Sequence, residues 1–124
     1  MTEPTRVDVL VLGGGPAGST TASLLRKYHP DLRVTLVEQA SFPRYHIGES
    51  LVLEVNRVLS EMGVLDTVEA HRFLLKGGAT YVWGADRKPW SFAFAESTGR
   101  RPHFKGITDY TYHVERAQFD RILF

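Results

Sequence analysis

The sequence contains no cysteine, which removes a disulfide framework, a thiolate nucleophile and zinc-ribbon chemistry together. It also lacks an excess of either charge. Fifteen Lys and Arg against fourteen Asp and Glu leave a formal charge of +1, too little to attract nucleic acid or an anionic membrane. The densest basic pair, Arg100-Arg101, reads as a solvated loop. The five histidines, at 29, 46, 71, 103 and 113, lack the i, i+4 pairing of a helical metal site, so no metal ligand is assigned. Long apolar runs are missing as well. Val7 to Leu12 is too short for the core of a signal peptide and leads into glycines, and nothing approaches a membrane span. The expectation is a soluble cytoplasmic protein with neither nucleic-acid nor membrane partners. No internal repeat or low-complexity tract is present, and 124 residues allow one domain at most.

What the sequence does have is one organising stretch, Val7 to Ser19, where an apolar run breaks into Gly13-Gly14-Gly15-Pro16-Ala17-Gly18 and then into a helical pattern. Val7 to Leu12 has the composition of a strand buried on both faces of a parallel sheet. In Gly13-x-Gly15-x-x-Gly18, the first glycine permits the tight turn, the second lets backbone approach a pyrophosphate, and the third lets the helix lie close on the strand. Pro16 suits the first helical turn, where a missing N–H costs nothing. Free amides and the positive end of the helix dipole there make a seat for an anion. Ser19 to Tyr28 reads as the helix, with Ala22, Leu24 and Leu25 available to face the sheet. Val34 to Val37 reads as the second strand, closed by Glu38 twenty residues after Gly18. A carboxylate at that point accepts hydrogen bonds from an adenosine ribose. The alternative is a glycine-rich turn in an ordinary α/β protein, with Glu38 a solvated strand end. Strand, fingerprint, helix, second strand and acid in sequence favour a dinucleotide site.

Beyond Glu38, residues 39–48 form a loop holding Pro43, Arg44 and His46. Arg44 can neutralise part of a pyrophosphate or simply belong to a polar crossover. Ser50 to Met62 has helical spacing at Leu51, Val55, Val58, Leu59 and Met62, with Ser50 or Glu49 as its cap and Gly63 as its C-terminal glycine. Val64 to Phe73 reads as a shorter helix ended by Gly77-Gly78. Ala79 to Trp83 and Trp90 to Ala95 suggest an antiparallel hairpin with a longer loop. Their aromatics, Trp83, Trp90, Phe92 and Phe94, suit either a core or the wall of a flavin or aromatic-substrate cavity. Glu96 to Gly106, with Gly99, Pro102 and Gly106, reads as a mobile connection. Tyr110 to Val114 reads as a further strand, and Glu115 to Phe124 as a helix with Phe119, Ile122 and Leu123 on one side. That apolar face has no cover in the sequence that follows, and two parallel strands leave sheet edges unpaired. The expectation is therefore an N-terminal piece of a larger protein, a small complete domain being the competing reading.

The glycine segment followed by Phe42-Pro43-Arg44-Tyr45-His46-Ile47-Gly48-Glu49-Ser50-Leu51 resembles the opening of flavin-dependent halogenases, within the flavoprotein monooxygenase superfamily. Lys76 to Gly84 and Val114 to Leu123 resemble further segments of the branch acting on phenolic, pyrrolic or carrier-bound aromatic substrates. The resemblance implies a Rossmann-like α/β FAD-binding domain with the start of an antiparallel substrate-side sheet, here residues 1–124 as an N-terminal part. It implies cofactor contacts at Gly13, Gly15, Pro16, Ala17, Gly18, Glu38, Arg44, Ser50 and Arg116, and a catalytic Lys76. It further implies reduced FAD from a separate flavin reductase, which with oxygen and halide yields a hypohalous acid that Lys76 directs onto an electron-rich ring, in secondary metabolite biosynthesis. On this view the 124 residues alone are inactive.

Physically, Arg116 falls at a predicted helix start, where a cation opposes the dipole at a cost of about a few tenths of a kcal/mol. Either it points at bound flavin or it pairs with Glu115 or Asp120. Lys76 is either a desolvated ammonium donor or a solvated helix-end lysine. Two other functions remain open on the sequence: an FAD-dependent monooxygenase, hydroxylase or geranylgeranyl-reductase-like flavoprotein, and a truncated dinucleotide-binding module without chemistry.

Overall fold

The computed structural model describes residues 6–98 and 108–124. Two compact units divide the chain, one formed by Met1–Ile47 with Arg116–Phe124 and the other by Gly48–Glu115. Arg100-Arg101, His103 and the glycines and proline of the expected mobile connection lie outside the described residues. Among the described residues no helix is long and apolar enough to cross a membrane.

The first unit is a strand–helix–strand with a second helix against it. β1 (Val9–Leu12) pairs in parallel with β2 (Val34–Val37), Val9 opposite Val34 and Leu12 opposite Val37. Between them runs α1 (Pro16–Tyr28), with Pro16 in its first turn as expected, so the helix extends three residues ahead of Ser19. Arg26 and Lys27 occupy its last turn, favourable to the dipole, and Arg26 also donates to the carbonyls of Pro30 and Leu32 that turn the chain into β2. Beside β1, Asp8 and Arg33 are joined side chain to side chain and side chain to backbone, which holds the Asp8 carboxyl at about 2. α5 (Arg116–Leu123) lies against α1, burying Phe119 and Leu123. The apolar face expected to lack cover is therefore covered within this unit, each side chain contributing ~1.5–3 kcal/mol by burial. β1 departs from expectation in the opposite sense. It is not buried on both faces: Leu10 and Leu12 stand exposed, because with a single parallel partner only one face meets a helix.

The second unit combines a helical pair with short antiparallel strands. α2 (Val55–Met62) and α3 (Leu65–Ala70) turn at Gly63, whose φ of +79° a side chain would strain. Leu59 and Val68 form their core, and buried Asn56 donates to the Thr108 hydroxyl and the Tyr110 carbonyl. α2 begins five residues later than Ser50, and neither Ser50 nor Glu49 caps it. Their segment is already engaged: Leu51 N–H donates to the Tyr112 carbonyl, Val114 N–H to the Glu49 carbonyl, and Ser50 bridges His113.

The helix expected through Phe73 stops at Ala70, since Arg72 takes a left-handed conformation, and the chain re-enters as β3 (Leu74–Lys76). β3 pairs antiparallel with β6 (Thr111–His113), a pairing absent from the sequence reading. The expected hairpin is present as β4 (Gly78–Val82) and β5 (Pro89–Ala93), Gly78 opposite Ala93. Close approach at Gly78 needs the glycine, for a Cβ would overlap the Phe92 carbonyl oxygen. Phe94 lies outside β5, where it opens α4 (Phe94–Thr98) and is buried, so the connection begins as a helix rather than a loop.

Candidate functional site

The glycine turn occupies the end of β1. Gly13 has φ +102° and donates to the Val37 carbonyl, tying the turn to β2. Gly18 lies so close to the turn that a Cβ would overlap the Gly13 carbonyl oxygen and press on Val11. Gly15 is different. Its φ of −75° is open to any residue, and a Cβ there would meet only an Arg44 nitrogen at 3.5 Å, an ordinary contact. Gly15 caps α1 without a side-chain hydrogen bond, and no acidic residue sits in the first turn. The amides of Ala17 and Gly18 thus have no intrahelical acceptor.

A cavity of about 510 Å³ opens at this turn, lined by Gly13, Gly15, Glu38 and Arg44 among the expected residues and by Gln39 and His46 besides. Exposed Leu12 and Val37 supply its apolar walls. Glu38 is fixed at its rim. Oε1 accepts from the Ala40 amide at 3.0 Å, and Oε2 accepts from the Gly14 amide at 2.8 Å and from Arg44 at 3.2 Å. The Ala40 and Gly14 amides, followed by the nearby Arg44 charge, hold its carboxyl at about 2. Glu38 is ionised at neutral pH, and with Oε2 accepting two hydrogen bonds and Oε1 one, Oε1 retains a site for a further donor.

Arg44 is not the free cation that a loop arginine suggests. One terminal nitrogen donates to Glu38, the other to Asp120 at 2.9 Å, and the guanidinium carbon lies 4.9 Å from the Phe42 ring centre. Its buried Nε has no hydrogen-bond partner. Asp120, wholly buried, also receives Arg116 Nε at 2.7 Å and a second Arg116 nitrogen at 2.9 Å. Arg116 is the first residue of α5, and its remaining terminal nitrogen donates to the Ile47 carbonyl at 2.7 Å. The unfavourable position at the helix start is thus offset by a carboxylate one turn on and by a carbonyl. Bonding to Asp120 raises the Arg116 pKa further. Arg116 does not line the cavity. Sequence reasoning named Asp120 only as a surface partner. Its signal was available in the i, i+4 spacing from Arg116, on a face shared with Phe119 and Leu123.

Lys76 and Ser50 come together in the second unit. Lys76 ends β3, and its ammonium donates at 2.9 Å to the Ser50 hydroxyl and at 2.9 Å to the Leu51 carbonyl, 5.8 Å from the Phe94 ring centre. Lys76 is half-buried on a strand rather than solvated at a helix end. The Ser50 hydroxyl, expected at the cofactor, is directed to Lys76. On the hairpin, Tyr81, Trp90 and Phe92 stack with ring centres 5.0 to 6.0 Å apart. Only Phe94 of the four singled-out aromatics is core; Trp83 and Trp90 are exposed.

A family model described as tryptophan halogenase matches residues 8–106. The chain is 46% identical over 120 residues to a tryptophan 2-halogenase of Chondromyces crocatus, covering 97% of this chain and 20% of that protein. It is 39% identical over 127 residues to the 1H-pyrrole-2-carbonyl-(peptidyl-carrier protein) chlorinase of Pseudomonas fluorescens, covering 94% and 28%. The solved structure of the myxobacterial chondrochloren halogenase CndH, described as a new variant of FAD-dependent halogenases, matches with a TM-score of 0.78 at 38% identity, over 97% of this chain and 26% of its own. The chain thus spans about a fifth to a quarter of the length of these relatives.

The residues at the glycine turn fit a flavin dinucleotide on their own geometry. Gly15 is a glycine the fold does not require, beside a cavity that a side chain would enter. Arg44 keeps a buried nitrogen without an acceptor, and an ionised Glu38 stands at the distance along the chain where a ribose is held. With the family match over most of its residues, the chain belongs to the tryptophan halogenase family of flavin-dependent halogenases.

Proposed function

We propose that this chain is the FAD-binding part of an enzyme that halogenates an electron-rich aromatic substrate. The observation that carries the reading is the pairing of unfilled α1 amides with the ionised, positioned Glu38 around one cavity. The first-turn amides at Ala17 and Gly18, beside Gly13, Gly15 and Pro16, receive the pyrophosphate. Glu38 would accept an adenosine ribose hydroxyl, and Arg44 would add positive charge at the diphosphate. Arg116 contributes through Asp120. When bound and reduced by a separate flavin reductase, FAD supplies the oxygen activation by which halide becomes hypohalous acid.

Lys76 then acts on the halogenating species. Two of its three ammonium hydrogens are held by Ser50 and Leu51, leaving the third for the oxygen of hypohalous acid; as the aromatic ring attacks the halogen, the halogen–oxygen bond breaks and the hydroxide leaves as water with that proton. The ring proton leaves to water or base in the closing step. The names of the relatives span tryptophan and a carrier-bound pyrrole, so the substrate class proposed is an electron-rich aromatic, free or carried.

Titration of the purified chain with FAD, followed by flavin fluorescence, tests the binding half. Saturable quenching is expected, with no halogenation by these residues alone; absence of saturable binding overturns the reading. In the full-length enzyme, Lys76→Ala is expected to abolish halogenation while FAD affinity is unchanged. Unaltered product formation would remove Lys76 from the chemistry.

A further inference from the structure

Asp120 is the one fully buried carboxylate among the described residues, and it receives three charge-assisted hydrogen bonds from two arginines. Its place is set by helix packing: Phe119 and Leu123 on either side of it are buried as α5 lies against α1. Arg44, in contrast, comes from an irregular loop, and a long side chain there has many rotamers to lose. Among the described residues its guanidinium is held by Asp120, Glu38 and the Phe42 ring. Of these, Glu38 is the group that a ribose would also engage. Asp120 is fully buried and stands behind the cavity lining rather than in it.

We infer that Asp120 is a positioning residue for nucleotide binding, holding the Arg44 guanidinium against the glycine turn so that it meets the diphosphate in a preset orientation. Arg116 completes the device. Its second charge offsets that of Asp120, so the cluster of Arg44, Arg116, Asp120 and Glu38 is neutral rather than negative, and the buried carboxylate orients Arg44 without adding net repulsion for an anion. Its bond to the Ile47 carbonyl also fastens the end of the loop that carries Arg44. The inference rests on the proposed FAD seat and goes beyond it by assigning a role to a residue outside the cavity.

The test compares ADP and adenosine binding to the chain by calorimetry, in the wild type and in Asp120→Asn, Arg44→Ala and the double variant, with apo melting recorded for each. ADP binding is expected to weaken roughly tenfold or more in each single variant, the scale of losing one charge-assisted hydrogen bond. Adenosine binding is expected to stay at the wild-type value, which a general structural defect would not spare. The double variant is expected to weaken ADP binding no further than Arg44→Ala alone, because Asp120 acts through Arg44. A folded Asp120→Asn that binds ADP as tightly as the wild type overturns the inference, as does equal loss of ADP and adenosine. Should Asp120→Asn fail to fold, Arg44→Ala decides: unchanged ADP affinity overturns the inference, and a selective loss of ADP supports it. Wild-type chain that binds neither ADP nor FAD overturns the seat itself, a separate result.

Discussion

Replacing Gly15 and Gly18 by alanine, one at a time, separates the glycine that the ligand needs from the glycine that the fold needs. At Gly18 the new Cβ would overlap the Gly13 carbonyl oxygen, stand 3.1 Å from its carbon and 3.3 Å from Val11 Cγ1. Both obstacles are held in place, one by the turn itself and the other by β1, so the helix must move away from the strand. Overpacking of this type costs about 1–3 kcal/mol, or a fall in melting temperature of roughly 5–15 °C for a chain of this size. At Gly15 the backbone already suits alanine and the nearest atom is 3.5 Å away, so stability is expected to stay within about 0.5 kcal/mol of wild type, or to rise slightly as the unfolded chain loses freedom. That same methyl would stand beside the first-turn amides, where the diphosphate must come close. Apo melting followed by circular dichroism and FAD titration on the two variants are the assays. Gly15→Ala should melt like wild type and lose FAD; Gly18→Ala should melt early. Equal destabilisation by the two, or wild-type FAD affinity in Gly15→Ala, would refute the division of labour.

Three further outcomes are expected. Glu38 has its folded value at about 2, below its ordinary 4.5, so its contribution to stability is full above the unfolded value and is lost as pH falls from there through about 2. Urea denaturation between pH 6 and 2 should therefore decline less steeply in Glu38→Gln than in wild type, and parallel profiles would contradict this. Phe119→Ala, in the contact of α5 with α1, should cost ~3–5 kcal/mol in chemical denaturation, whereas Trp83→Ala at an exposed site should change stability by less than about 0.5 kcal/mol. Ser50→Ala removes the acceptor of one Lys76 hydrogen bond; in the full-length enzyme it should lower the rate of halogenation several-fold while leaving FAD affinity at the wild-type value, read from kinetics and flavin fluorescence side by side.

The strand–helix–strand and the acid that closes it were legible because their signals are local. Three glycines, a proline at the first helical residue and a carboxylate at a strand end each act within a few residues of where they stand. Asp120 was not legible in the same way. Its bond to Arg44 spans 76 residues and exists only because Phe119 and Leu123 draw α5 onto α1. β3 was missed for a related reason: Leu74-Leu75-Lys76 has no alternation to announce a strand, and its conformation follows from a partner 35 or more residues away. The Ser50–Lys76 bond depends on that same pairing, since β6 holds β3 on one side and the Glu49–Leu51 segment on the other. Ser50 itself reads as a cap from its local pattern, and only the long-range use of its backbone overrules that. Leu10 and Leu12 show the reverse limit, an apolar run whose composition suggested burial on two faces while its neighbours cover one.

A crystal structure of the chain with FAD addresses the central claim directly. The diphosphate should lie on the amides at the start of α1, with a ribose hydroxyl on Glu38 and the Arg44 guanidinium beside the non-bridging oxygens. Flavin bound elsewhere, or a glycine turn left empty at saturating FAD, would contradict it.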